Sequence, residues 1–138
     1  MEREQIIRRI NNKIQNSMTS TIGIEITDYD DGFICGRMPV DERTMQPWGL
    51  LHGGASVTLA ETLGSIGGGI KAKQNKERVV GLEINANHLK SVSGGWVYGK
   101  SVPIKIGRKI QVWETKITNE NNDLICISRL TLAVLKEK

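Results

Sequence analysis

Residues 52–70 read HGGASVTLAETLGSIGGGI, and this stretch decides what fold the chain can adopt. Val57, Leu59, Ala60, Leu63 and Ile66 supply apolar positions and no proline interrupts them, so Ala55 to Ile70 is predicted as the principal helix. Its apolar side chains fall on more than one side, which predicts a largely buried helix. Gly64, Gly67, Gly68 and Gly69 each weaken it by roughly 1 kcal/mol relative to alanine. Such a cost implies that another backbone packs closely against it. The helix is expected to fray over Lys71 to Lys76.

On the N-terminal side, Ile6, Ile7, Ile10 and Ile14 predict an amphipathic helix within residues 2–16. From Ile22 the period changes to two, with Ile22, Ile24 and Ile26 alternating with Gly23, Glu25 and Thr27. Asp30-Asp31-Gly32 supplies a turn in which Gly32 is free to take positive φ, and Phe33 to Val40 returns as a hairpin strand. Asp41 to Leu51, containing Pro47 and Gly49, is a loop.

Beyond the helix the pattern is all strand: Val79 to Leu89, Trp96 to Ile106, Ile110 to Thr118 and Leu124 to Leu135. Turns at Ser93-Gly94-Gly95, Gly107-Arg108 and Asn119–Asp123 separate them, and Leu124, Cys126, Leu130, Leu132 and Val134 share one face of the last. Two strands, a long helix and four more strands predict a single α+β domain over residues 1–138 with an antiparallel sheet. One helix must cover the sheet, and strands of about ten residues curl readily around it. This is the hotdog arrangement, here with an additional short N-terminal helix. A lone copy leaves edge strands and glycine-rich surface exposed, which predicts dimerisation.

Composition narrows the function. A chain of 138 residues buries enough core to need no disulfide or metal staple. It has only one Phe, so Ile, Leu and Val are expected to build that core. The net charge of +4 is spread along the chain instead of concentrated on one element, which fits an anionic small ligand better than nucleic acid. Cys35 and Cys126 lack a CxxC partner and read as buried free thiols. The charged segment Met1 to Ile14 has no apolar core of a signal peptide, and no apolar run spans a membrane. A cytoplasmic protein with no metal and no cofactor is the expectation.

Groups able to do chemistry gather around the start of the long helix: Gln46, His52, Glu61 and Ser65. Gly53 and Gly54 leave backbone N–H groups unobstructed there. The N-terminus of a helix offers unpaired donors and partial positive charge to a carbonyl oxygen becoming an oxyanion. The bland alternative is a glycine-rich loop with a satisfied structural His52. Glu61 lies mid-helix between Ala60 and Thr62, at a position expected to be buried, where a carboxylate is functional or paired. Ser65, one turn on, faces the same side and is the candidate pairing partner. Gly53 and Glu61 are roughly 12 Å apart along the helix axis, too far to touch one carbon from the same copy. An antiparallel second copy would relieve this, with Gly64, Gly67 and Gly68 permitting its approach.

The run His52-Gly53-Gly54-Ala55 with Glu61 resembles the hotdog acyl-CoA thioesterases of the phenylacetate-pathway type and the glutamate-using 4-hydroxybenzoyl-CoA type. MPVDERTMQPWGLLHGGASVTLAETLGS, VVGLEINANHLKS and GRKIQVW are similar in particular to bacterial 1,4-dihydroxy-2-naphthoyl-CoA thioesterases of menaquinone synthesis. The resemblance runs from about Ile22 to Leu135. It implies that Glu61 attacks the thioester or activates water, that the Gly53 N–H polarises the carbonyl, and that Gln46 and His52 orient the thioester. By the same resemblance Ser65 holds the water or acyl group, while His88-Leu89-Lys90-Ser91 and Gly107-Arg108-Lys109 hold CoA. It also implies dimers that share active sites and pair into homotetramers.

The residues are chemically sufficient without it. CoA thiolate is a good leaving group, so a carboxylate and a positioned donor serve with no metal. Lys90, Arg108 and Lys109 suit phosphates, or else form a solvated basic rim. Two rival readings are a hotdog hydratase, which relies on a different His-acid motif, and a non-catalytic acyl-CoA-binding module. A broad-range aliphatic or phenylacetyl-type thioesterase is the alternative within the same activity.

Overall fold

The computed structural model describes residues 1–137. Helix α1 (Arg3–Lys13) is followed by a short helix α2 (Met18–Thr21) and the hairpin β1 (Glu25–Asp30) and β2 (Phe33–Pro39). The long helix α3 (Gly53–Lys73) leads to β3 (Glu77–His88), β4 (Trp96–Ile106), β5 (Ile110–Thr118) and β6 (Leu124–Lys136). The six strands form one curved sheet in the order β1-β2-β4-β5-β6-β3, and every neighbouring pair is antiparallel. The chain passes along α3 from β2 to the opposite edge, so the helix lies across the sheet and packs on β2 to β6.

The predicted boundaries hold to a few residues except at three places. Residues 18–21, between the expected helix and the alternation from Ile22, form α2, and β1 begins only at Glu25. The long helix extends past the predicted Ala55–Ile70 at both ends, because His52 caps its first turn and Lys71 and Lys73 suit its C-terminal dipole. The β1–β2 turn does not use a positive φ at Gly32; that conformation falls among the glycines at Gly23, Gly49 and Gly95. An Asp30 carboxylate oxygen accepts from the Asp31 N–H at 2.8 Å and closes the turn locally.

Gly64, Gly67 and Gly68 of α3 face the chain's own sheet. A Cβ at Gly64 would lie 2.7 Å from Leu130 Cδ2, one at Gly67 would lie 2.7 Å from Trp113 Cη2, and one at Gly68 would strike Leu132. This stripe seats the helix on its own sheet and leaves room for Trp113, which the expectation of an aliphatic core had overlooked. Trp113 is almost fully buried, and its indole N–H donates to Gln111 Oε1 at 2.8 Å. Gln111 Nε2 in turn donates to the Gly68 carbonyl at 3.2 Å, so both buried polar side chains are satisfied. Gly69 faces open space. One stripe of α3 is fully buried, including Leu59, Ala60, Leu63 and Ala72, and most of the rest is half-buried, with Gly54, Glu61 and Lys73 exposed. On β6, Cys126, Leu130 and Leu132 face the core as predicted, while Leu124 lies beyond the helix and is exposed.

The two edges of the sheet differ. At β1, α1 lies alongside and Asn11 imitates a neighbouring strand: its Nδ2 donates to the Ile26 carbonyl and its Oδ1 accepts from the Ile26 N–H, both at 2.8 Å. At β3 the outer edge is uncovered, with Val80 and Leu82 exposed. Strand β3 also carries a bulge. Gly81 pairs with Leu132 and Glu83 with Thr131, so Leu82 is an extra residue. The residues on the helix side are therefore Val79 and Gly81 before it, and Ile84, Ala86 and His88 after it.

Candidate active site

Helix α3 begins where three backbone ties converge. Met45 and Leu51 form an isolated bridge, the His52 N–H donates to the Thr44 carbonyl, and the Leu51 N–H donates to Val92, the last two at 2.8 Å. His52 is the N-cap, in extended conformation, and its Nδ1 accepts from the Gly54 N–H at 2.8 Å. Its role in the free chain is thus to hold the first turn. The Gly53 N–H, at the first helical position, is one of the donors that no intrahelical carbonyl reaches.

Gln46 is fixed by its own loop. Its Oε1 accepts from the Trp48 N–H at 2.6 Å and lies 3.5 Å from the Leu50 nitrogen. The amide NH₂ is the end left to donate to another molecule. The bulge in β3 turns His88 onto the helix side, where its imidazole lies over Gly53; a Cβ there would sit 2.8 Å from Nε2. A cleft of about 420 Å³ opens between these parts, and Gln46, Gly53, His88, Leu89, Lys90 and Ser91 line it. Six of the residues singled out in the sequence are therefore neighbours in space. Ser56, a buried hydroxyl on the same helical face, also lines the cleft. The sequence reading missed it, because a serine in a helix carries no distinguishing pattern.

Other expected members lie elsewhere. Glu61 is exposed, not buried, because its face of α3 points toward the uncovered β3 edge. Among the described residues no hydrogen bond joins it to Ser65, and its Oε2 lies 3.1 Å from where a Cβ of Gly81 would be. Neither Glu61 nor Ser65 lines the cleft. The turn Gly107-Arg108-Lys109 sits at the opposite end of the sheet from His88. Ile110 pairs with Ala133, and Ala133 with Val80, so the two CoA-binding candidates are at least about 25 Å apart along the strands. Arg108 and Lys109 are exposed. Lys90 is tethered: its Nζ lies 2.8 Å from Asp123 Oδ2. This hydrogen bond, one from Asn119 and the positive charge of Lys90 hold the Asp123 carboxyl below its usual range.

The two thiols are free, and burial pushes both upward in pKa; Cys126 is fully enclosed and Cys35 half-buried. Among the described residues, no helix is long and apolar enough to cross a membrane.

The family model described as the thioesterase superfamily matches residues 49–126, which include α3 and all of the cleft's lining except Gln46. The chain belongs to this superfamily. A thioesterase from Haemophilus influenzae of known structure is 49% identical, superposes with a TM-score of 0.91, and covers 94% of this chain and 90% of its own. The 1,4-dihydroxy-2-naphthoyl-CoA hydrolase of Escherichia coli is 42% identical over 97% of this chain and 98% of its own length. Its namesake from Listeria monocytogenes is 49% identical over 88% of this chain and 98% of its own. The hotdog fold and membership of a thioesterase superfamily, both expected from the sequence, are thus borne out.

Proposed function

We propose that this thioesterase hydrolyses an aryl- or acyl-CoA thioester to the free acid and CoA, with 1,4-dihydroxy-2-naphthoyl-CoA the first candidate substrate. Two relatives bearing that activity in their names support the choice, at 42% and 49% identity. CoA thioesters would place the work in the cytoplasm. The observation that carries the reading is the cleft, where the first N–H of α3 and the free end of Gln46 adjoin the segment His88–Ser91.

In this mechanism the thioester carbonyl oxygen accepts from the Gly53 N–H and the Gln46 amide. The developing oxyanion sits at the positive end of α3. Water adds to the carbonyl carbon as Glu61 takes its proton; the C–S bond then breaks, and the proton passes to the departing CoA thiolate. The alternative is direct attack by the Glu61 carboxylate, expelling the thiolate and leaving an anhydride for water to open.

Glu61 reaches this carbon from a second chain. The axial separation of roughly 12 Å argues against a one-chain site, and the uncovered β3 edge beside Glu61 offers the place for a two-fold partner. Antiparallel pairing of two β3 edges would carry the partner's end of the sheet that holds the Gly107 turn toward His88, so one CoA molecule could span both predicted segments. Such dimers would pair again into tetramers, as the family resemblance implies. Thiol release from naphthoyl-, benzoyl- and aliphatic-CoA thioesters tests the reading. A preference for aryl substrates supports it, equal rates on all three favour a broad-range thioesterase, and no release from any of them refutes it.

A further inference from the structure

Gly81 occupies an unusual place in β3. Glycine weakens a strand interior unless a bulge or a close approach calls for it. Its φ is not in the left-handed region, so the backbone does not demand glycine. The helix-side space where its Cβ would point is bordered, within 4 Å, only by Glu61 Oε2 at 3.1 Å. The neighbouring glycines on α3 make room for apolar chains of the core, whereas this one makes room for a carboxylate. Immediately after it the bulge at Leu82 breaks the regular pairing, and bulges recur beside active sites, where they re-aim side chains.

We propose that Gly81 is a positioning residue for Glu61: its missing side chain lets the carboxylate lie down on the edge strand, aimed at the site of a partner. This rests on the reading of Glu61 as the catalytic carboxylate. A methyl group at Gly81 would push the end of an exposed, flexible side chain by a few tenths of an ångström. The fold would absorb that shift, but the alignment of a reacting carboxylate would not, since about 1 Å of misplacement costs about a hundredfold.

The test is Gly81→Ala. The expected result is a kcat lowered about three- to tenfold with KM within about twofold, and a melting temperature unchanged or raised. The same substitution is then made together with Glu61→Asp, whose carboxylate is withdrawn by one methylene and clears the added methyl group. There the further loss should vanish, as coupling between touching residues requires. Wild-type kcat for Gly81→Ala, or an equal loss in both backgrounds, overturns the proposal. So does a fall in melting temperature with loss of the oligomer, which assigns Gly81 to edge packing. Glu61→Gln is assayed alongside. If it keeps full activity, the reading of Glu61 fails and this proposal with it; if it is inactive while Gly81→Ala is normal, Gly81 alone is refuted.

Discussion

His88 at the end of β3 and Gly53 at the start of α3 are in contact, with the imidazole resting where a side chain at Gly53 would begin. Gly53→Ala therefore keeps the N–H donor but displaces the ring into the cleft. The expected outcome is a folded enzyme whose KM for a CoA thioester rises several-fold. Steady-state kinetics with His88→Ala as companion checks it: removing the ring should relieve the crowding caused by Gly53→Ala.

Glu61→Gln keeps size and polarity and removes the charge. Because Glu61 is exposed in the chain, melting should be unaffected. Turnover should fall at least about a hundredfold, as for loss of a catalytic acid or base. A folded variant with wild-type hydrolysis would disprove the mechanism.

The basic residues should not contribute equally. Replacing Lys90, Arg108 and Lys109 with alanine should raise KM more than it lowers kcat, through loss of uniform binding, and rising salt should act in the same direction. Since Lys90 is already paired with Asp123, most of the rise should come from Arg108 and Lys109. Single variants measured at two ionic strengths would reveal the division.

Gly68→Ala separates two meanings of the glycine stripe. Seated against Leu132 and Gln111, the added methyl should destabilise the fold by about 1–3 kcal/mol through overpacking, with the oligomer unchanged at temperatures where the chain is folded. Thermal melting and sedimentation of the same variant decide between core packing and a helix–helix interface.

A site divided between chains can be rebuilt from two dead ones. Gly53→Pro removes the donor at the first helical position, where proline is tolerated, and His52 already has the extended conformation that precedes proline. Mixing it with Glu61→Gln after reversible dissociation should yield hybrids with one intact site and up to about half of wild-type activity per hybrid. Hybrids that form and remain inactive would place the whole site in one chain.

The architecture was legible because alternation, turn residues and one long apolar helix each mark their own boundaries. What escaped has physical reasons. Helix α2 is only four residues long, too short to display a period. The bulge at Leu82 leaves no mark in composition, although it sets which face His88 takes. Glu61 lies between Ala60 and Thr62 in the middle of a helix whose burial the sequence predicts, yet adjacent residues on a helix point in different directions. The glycines announced the close approach of another backbone, but Gly64, Gly67 and Gly68 meet side chains and Gly69 meets nothing. Their neighbours prove to be Trp113, Leu130 and Leu132 of the chain's own sheet. Gln46, Gly53 and His88 to Ser91 did converge on one cleft, while Glu61, Ser65 and the Gly107 turn lie away from it, as they would if completion of the site needs a second molecule.

The bond pair between Asn11 and Ile26 has a consequence for assembly. With α1 alongside β1 and Asn11 holding both outward ladder groups of Ile26, the valence the sheet leaves open for a neighbour is at β3. Two open edges would let copies add in succession and grow a fibre, but one edge joined to its like terminates growth at the first encounter. Removing α1 should free the Ile26 pair and open a second valence, and light scattering of the truncated chain would detect growth beyond a closed assembly.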